Sequence, residues 1–235
     1  MIQNDIRTRL AKVFPLLYKI SQRIRVFVLS LKSPEEVFTD FYKNNNWKNS
    51  ESVSGSGSTV EVTKKLRMQL PIVVEQFKIN TFLDLPCGDY NWMKLTGLKV
   101  EKYIGGDIVE ELINDNNKKY KNDSVSFAKL NLMVDRLPAC DLLFTRDCLV
   151  HLSYSDIKKC FDNIKNNEVK YAMLTTFPNV KANTDIVTGR WRSLNFSLAP
   201  FNLPAPEVLI EEDERTDELK KCMGIWKVKD LNIHI

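Results

Sequence analysis

From about residue 80 onward the chain alternates short apolar runs with amphipathic stretches. The runs "TFLDLP" (81–86), "KYIGGD" (102–107), "SVSFAK" (124–129), "CDLLFTR" (140–146) and "VKYAMLTTF" (169–177) have the length and content of buried strands. Between them, segments 108–120 and 153–166 carry apolar residues at helical spacing. This alternation predicts a doubly wound, Rossmann-like α/β fold, with a mostly parallel seven-stranded sheet and helices on both faces. The rhythm breaks near the end. "EVLIEED" (207–213) and "MGIWKVKDL" (223–231) are separated by a charged stretch too short for a crossover helix, so they are expected to pair as an antiparallel hairpin.

The N-terminal part follows another pattern. Leu16, Leu17, Ile20, Ile24, Phe27, Val28 and Leu31 form a helical stripe, with Lys19, Gln22, Arg23 and Ser30 on the other side and Pro15 at its start. Charges interrupt it short of the roughly 20 apolar residues that a membrane span needs. No small-residue cleavage site follows, which excludes a signal peptide. Two readings stand: a helix packed on the body or on a second subunit, and attachment to an anionic membrane surface. Residues 1–50 are thus expected to form a basic helical extension and 51–235 the main domain. Near their junction, "NNNWKNSESVSGSGSTVEVT" (44–63) is a linker or cap on one reading. On the other, Ser58, Thr59 and Glu61 signal a helix start whose backbone N–H groups would receive a carboxylate or phosphate.

Composition fits a folded globular chain: 235 residues, 43% hydrophobic and 27% charged. The net charge of +4 is unevenly divided. Residues 1–33 hold seven bases against the single acid Asp5, a balance of +6, which leaves −2 for the rest. A slightly acidic body argues against nucleic acid as a substrate. The five cysteines are odd in number and lack a C-x-x-C pair, so neither a disulfide framework nor a zinc site is indicated, and a reducing, cytoplasmic setting fits. With two histidines, His151 and His234, no histidine metal cluster can form, and no metal is expected.

The chemistry concentrates in "TFLDLPCGDYNWM" (81–93). In an open doubly wound sheet, ligands bind beyond the C-terminal strand ends where strand order reverses. Asp84 ends the first strand there, Gly88 lets backbone approach a ligand, and Asp107 ends the second strand at a spacing suited to the hydroxyls of a ribose. The corner therefore reads as a nucleoside site. Taken singly, Asp84 is also readable as a loop cap, Asp107 as a helix N-cap and Asn131 as a turn residue.

On these residues the chain resembles the class I S-adenosylmethionine-dependent methyltransferases. Their acidic-x-Gly-x-Gly-x-Gly motif falls on Asp84, Pro86, Gly88 and Tyr90, of which the acid and the middle glycine match. The variant "DLPCGDYNWM", with "YIGGDIVEELI" and "FTRDCLVHLS", is similar to a bacterial subgroup often associated with surface-polysaccharide and sugar-modifying gene sets. The likeness runs from about Val53 to Lys229. It implies S-adenosylmethionine as cofactor, with Asp84, Pro86, Cys87 and Gly88 along its methionine part. Asp107 and Ile108 would meet the ribose and adenine, Asn131 and Leu132 the adenine edge, and Arg146 would lie beside the sulfonium. The Ser/Gly segment would act as a lid through Ser54, Ser58 and Thr59, with Arg67 able to pair with the cofactor's carboxylate.

Methyl transfer to a hydroxyl needs two positioned reactants and a home for a proton. Asp147 and His151, four apart in "TRDCLVHLS", would share one face of a helical turn, and either is a candidate general base. The irregular stretch 175–206 is too long for an ordinary connection. Its Trp191, flanked by Arg190 and Arg192 and accompanied by Asn183, Asp185 and Asn195, joins an aromatic platform to positive charge; the expected acceptor contacts are Trp92, Arg190, Trp191 and Asn195. The alternative is a loop whose Trp191 and Phe196 pack on the core. The function expected is an O-methyltransferase acting on a hydroxyl of a sugar or activated sugar precursor of a surface glycan. Alternatives are methylation of another small molecule or of a phosphate-linked glycan substituent, and a nucleotide-sugar oxidoreductase, for which the corner lacks the three glycines.

Overall fold

The computed structural model describes residues 15–231. The basic residues Arg7, Arg9 and Lys12, and His234, lie outside them. Helices α1 (Pro15–Ser30) and α2 (Pro34–Lys43) come first, then α3 (Lys64–Gln76) and the strands β1 (Thr81–Asp84) and β2 (Lys102–Asp107). Helix α4 (Glu110–Tyr120), β3 (Val125–Lys129), β4 (Cys140–Thr145), α5 (Tyr154–Lys165) and β5 (Val169–Thr176) follow, and β6 (Val208–Glu211) and β7 (Cys222–Lys227) end the sheet.

The seven strands lie in the order β3-β2-β1-β4-β5-β7-β6. Pairing is parallel from β3 through β5, and β7 runs antiparallel to both β5 and β6. The doubly wound sheet with its antiparallel tail is as the apolar pattern predicts. Its reason is visible in β1: Phe82 and Leu83 are both fully buried but belong to opposite faces, which is the strand's period of two applied to a sheet covered on both sides. One face packs on Leu66, Leu70, Val73 and Val74 of α3, the other on Ile157, Cys160, Phe161 and Ile164 of α5.

Two departures bear on function. The β1–β2 and β3–β4 crossings contain no α-helix, only the 3₁₀ turn Met93–Leu95 in the first. Pro86, Gly88 and Gly97 punctuate one and the other is short, and each holds isolated i→i−4 bonds rather than a helical run of them. The long segment after β5 stands in for a covering helix, since its Leu194, Phe196, Phe201 and Leu203 pack into the same apolar cluster as α5.

Helix α2 is started by a side-chain cap. Ser33 accepts from the Glu36 N–H at 3.2 Å while Glu36 accepts from the Ser33 N–H at 2.7 Å, a capping box. Lys129–Glu35 and Lys43–Glu111 ion pairs, at 2.6 and 2.8 Å, tie this helix to the body.

Candidate active site

Chain order runs outward from β1 to β3 and then returns to β4 on the other side of β1, so strand order reverses between β1 and β4. A cavity of about 940 Å³ opens beyond the C-terminal ends of these strands. That is near the top of the roughly 300–1,000 Å³ range of small-molecule sites.

The corner after β1 is built by backbone bonds to both neighbours. Leu85 N–H donates to Phe144 O at 2.9 Å and Cys87 N–H to Gly106 O at 2.7 Å. Gly88 (φ 54°) and Tyr90 (φ 57°) both take the left-handed conformation. Tyr90, at the third glycine position of the motif, thus takes a backbone that favours glycine, while its ring leaves the cavity to pack against Tyr103, Tyr120 and Phe127 at centroid distances of 5.0, 5.4 and 5.2 Å.

Two carboxylates face the cavity from the strand ends. Asp107 accepts from Gly88 N–H at 3.2 Å and Val109 N–H at 3.0 Å, so it braces the corner and the start of α4 together. Burial raises its pKa to about 6. Asp84 accepts from the Tyr103 hydroxyl at 2.5 Å, and burial pushes it up to about 8. Pro86, Cys87, Gly88, Ile108, Asn131 and Leu132 line the same cavity. Asn131 is also the turn residue of its alternative reading, accepting from Met133 N–H at 3.0 Å.

The Ser/Gly segment is seated on this corner. Asp89 accepts from the Ser52 hydroxyl and the Val53 N–H, both at 3.0 Å, and Asp89 N–H donates to Ser54 Oγ at 3.3 Å. Close approach depends on Gly88, because a Cβ there would stand 2.2 Å from Ser54 Oγ. Ser54 and Ser58 line the cavity. Thr59 does not. The predicted helix start at Ser58 and Thr59 gives way to a 3₁₀ turn (Ser56–Ser58), and α3 begins only at Lys64. The Thr59 hydroxyl is spent on Ser56 O at 3.1 Å, and Arg67 donates to Val60 O at 3.0 Å behind the segment.

At the end of β4 four charges stand together. Arg146 meets Glu212 through Nε (3.1 and 3.0 Å) and Nη2 (2.6 Å), with side chains 4% and 3% exposed. Its Nη2 also donates to Gly57 O at 3.0 Å, and its guanidinium lies 5.3 Å from the Trp92 ring centroid. Asp147 is 3.3 Å from Arg146 Nη1 and is ion-paired with Lys221, which stands 3.2 Å from Glu212. Two cations and two anions balance. Burial alone would raise the Asp147 pKa, but Lys221 and Arg146 outweigh it and hold the group at about 2.

No helical turn presents Asp147 and His151. Asp147 has a left-handed backbone (φ 53°), and His151 ends the 3₁₀ turn Leu149–His151; both side chains nonetheless line the cavity. His151 Nδ1 lies 2.9 Å from Arg190 O. A carbonyl can only accept, so the neutral ring carries its proton on Nδ1 and keeps the Nε2 lone pair free. Burial lowers its pKa.

The loop after β5 brings Arg190 and Trp191 to the cavity, Trp191 51% exposed and edge-on to Phe177. Asn195 is corrected: it is 6% exposed and donates to Pro178 O and Val180 O at 3.0 and 3.1 Å, holding the loop rather than an acceptor. Arg192 is likewise buried on Leu149 O and Leu152 O, Asn183 is spent on the loop's own backbone, and Asp185 accepts from Tyr154 N–H at 2.7 Å. Glu212, Lys221, Asp89 and Tyr103 escape sequence reasoning. Each meets its partner across a long separation, 66 residues for Glu212 and Arg146, with no local spacing to mark it.

No protein-family model matches the chain, and no curated protein matches it in sequence. Solved structures do match. Magnesium protoporphyrin IX methyltransferase from Synechocystis with bound SAM superposes with a TM-score of 0.57 at 12% identity, covering 83% of this chain and 96% of that one. DhpI in complex with SAH gives 0.54 at 13% identity over 81% and 95%. The methyltransferase domain of bacterial CtHen1 gives 0.52 at 13% identity over 72% and 100%. Sheet order and superposition together show that this chain has the fold of the class I S-adenosylmethionine-dependent methyltransferases.

Proposed function

We propose that the protein is an S-adenosylmethionine-dependent O-methyltransferase whose acceptor is a hydroxyl of a sugar or activated sugar, such as a precursor of a surface glycan. The observation that carries this reading is one cavity lined by two chemically different groups of residues. Asp84, Gly88 and Asp107 reach it from the ends of β1 and β2, and His151, Arg190 and Trp191 from the segments that follow β4 and β5 on the other side of β1.

The first group fits a nucleoside-bearing amino acid. Asp84 is almost fully buried and makes no ion pair among the described residues, so a ligand ammonium would stabilise its ionised form. Asp107 keeps acceptor capacity beyond its backbone donors for the hydroxyls of a ribose. Pro86, Cys87 and Gly88 with Ser54 and Ser58 would enclose the methionine part, and Ile108, Asn131 and Leu132 the adenine. Arg146, already neutralised by Glu212, adds little repulsion toward a sulfonium. When bound, S-adenosylmethionine supplies an electrophilic methyl group.

The chain's own residues then position and deprotonate the acceptor. His151 Nε2 accepts the proton of the attacking hydroxyl, while Nδ1–H stays on Arg190 O and fixes the ring. Asp147, held ionised by Lys221 and Arg146, stabilises the imidazolium that results. Proximity and orientation provide most of the acceleration in such a displacement. Trp191 offers a face for a sugar ring, with Trp92 lying deeper in the cavity. The Arg190 guanidinium makes no hydrogen bond or ion pair among the described residues, which favours an acceptor carrying phosphate.

The test is incubation of the protein with labelled S-adenosylmethionine and a panel of free, phosphorylated and nucleotide-linked sugars, with products resolved by mass. The reading requires a gain of one methyl on a hydroxyl, strongest on a phosphorylated member. Transfer to a non-sugar acceptor alone would overturn the sugar assignment, and no transfer with intact donor binding would move the proposal to another acceptor class.

A further inference from the structure

Helix α1 has two faces with opposite fates. Gln22, Arg25 and Leu29 line the cavity, and Leu29 packs with Val37 and Phe41 of α2. On the other side Leu16, Ile20, Ile24, Phe27 and Leu31 are 70, 44, 57, 62 and 69% exposed. With Leu17 and Val28 they occupy an arc roughly 120° wide at 3.6 residues per turn, directly opposite the face that meets the body. A continuous apolar stripe on a helix already anchored elsewhere calls for an occupant.

We infer that this stripe docks α1, lying flat, on an anionic membrane surface. Charge selects that occupant. Lys19, Arg23 and Arg25 flank the stripe, α1 contains no acidic residue, and residues 1–33 as a whole hold seven bases to one acid while the rest of the chain is slightly acidic. A second copy seated on the stripe by two-fold symmetry would set these cations against one another with no acid on either helix to pair them. Anionic headgroups match them, at a favourable contribution for each base near the surface. Among the described residues no helix is long and apolar enough to cross a membrane, so the contact is interfacial.

The same helix lines the cavity through Gln22 and Arg25, so docking brings the cavity close to the headgroups. An acceptor sugar anchored there through a lipid phosphate would enter beside Arg25 and Arg190. That consequence rests on the acceptor proposed above, whereas the docking does not.

The experiment is co-sedimentation of the full chain with phosphatidylglycerol/phosphatidylcholine vesicles and with pure phosphatidylcholine vesicles, at about 0.1 M salt, where the screening length is about 10 Å. The full chain sediments with the anionic vesicles, at least about tenfold more tightly than with neutral ones, and raising the salt weakens it. A triple variant Ile20→Asp/Ile24→Asp/Phe27→Asp, which leaves the cavity lining untouched, loses on the order of a hundredfold in vesicle affinity with unchanged thermal unfolding and unchanged S-adenosylhomocysteine binding. Three results overturn the inference: the full chain stays in solution with both vesicles, the variant binds as well as the parent, or the parent is a dimer that the variant converts to a monomer. Because sedimentation reads no methyl transfer, its failure is separable from failure of the proposed activity.

Discussion

Glu212→Ala probes the charge tetrad that shapes the site. In the folded protein Glu212 and Asp147 neutralise Arg146 and Lys221, and the Arg146 and Glu212 side chains are 4% and 3% exposed. Removing Glu212 leaves two cations sharing one carboxylate. Breaking a buried pair from one side costs about 3–5 kcal/mol, because a buried charge loses its partner. Asp147, 3.3 Å from Arg146 Nη1, remains as counter-ion, which places the loss near the lower end. For a chain of this length about 3 kcal/mol corresponds to a fall in Tm of roughly 6–12 °C. Calorimetric unfolding of the parent and the variant measures it, with Asp162→Asn as a control. Asp162 pairs with Lys158 in a bridge whose side chains are 55% and 43% exposed, and its loss costs only about 0.3–0.5 kcal/mol. Arg146→Met/Glu212→Leu should recover most of the stability without recovering activity, since hydrophobic replacements fill the volume but do not hold Gly57 or Asp147. A Glu212→Ala loss under about 1 kcal/mol, no larger than an exposed pair, would refute the reasoning.

Three other outcomes are expected. Gly88→Ala forces a Cβ to within 2.2 Å of Ser54 Oγ at a left-handed φ of 54°, so S-adenosylhomocysteine affinity falls at least about tenfold, and Ser54→Gly in the same chain restores part of it; equal losses with and without Ser54→Gly would contradict the lid contact. The pKa values of Asp84 and Asp107 are raised by burial to about 8 and about 6, above their unfolded values, so their contribution to apo stability is present at low pH and lost as pH rises through those values. Ligand ammonium binding at Asp84 then releases a proton near neutrality and tightens from pH 6 to 8, which calorimetry in phosphate and Tris buffers detects as different apparent heats; identical heats would exclude it. His151→Asn lowers kcat/KM by about 10²–10⁴ and removes an acid limb that, because burial lowers the histidine pKa, lies below about pH 6.5 in the parent; a pH–rate profile with its limb intact in the variant would assign the base elsewhere.

Most strands were legible in the sequence because each is a short apolar run, buried on both faces in β1, β4 and β5, and the tail hairpin because too little chain separates its strands for a crossover. The shape of the corner was legible through Asp84, Gly88 and Asp107, which end β1, turn the chain and end β2 as their spacing predicts. Tyr90 shows the limit of a motif: a left-handed backbone stands at a position without glycine, where the ring packs in an aromatic cluster of its own. Asn195 and Thr59 misled because a polar side chain looks alike in sequence whether it meets a ligand or satisfies a buried carbonyl. Glu212, Lys221 and Asp89 were out of reach, since only the fold brings them to Arg146, Asp147 and the Ser/Gly segment. The stripe on α1 was read correctly as amphipathic, yet the side that packs on the body is the one carrying Gln22 and Leu29, and the apolar stripe faces outward.

Titration of S-adenosylhomocysteine into the full chain and into Asp107→Ala, with unfolding curves for both, tests the central claim most directly. The account predicts saturable one-to-one binding to the parent and loss of at least about a hundredfold in a variant that still unfolds cooperatively. Absence of binding to a folded parent, or unchanged affinity in the variant, would contradict it.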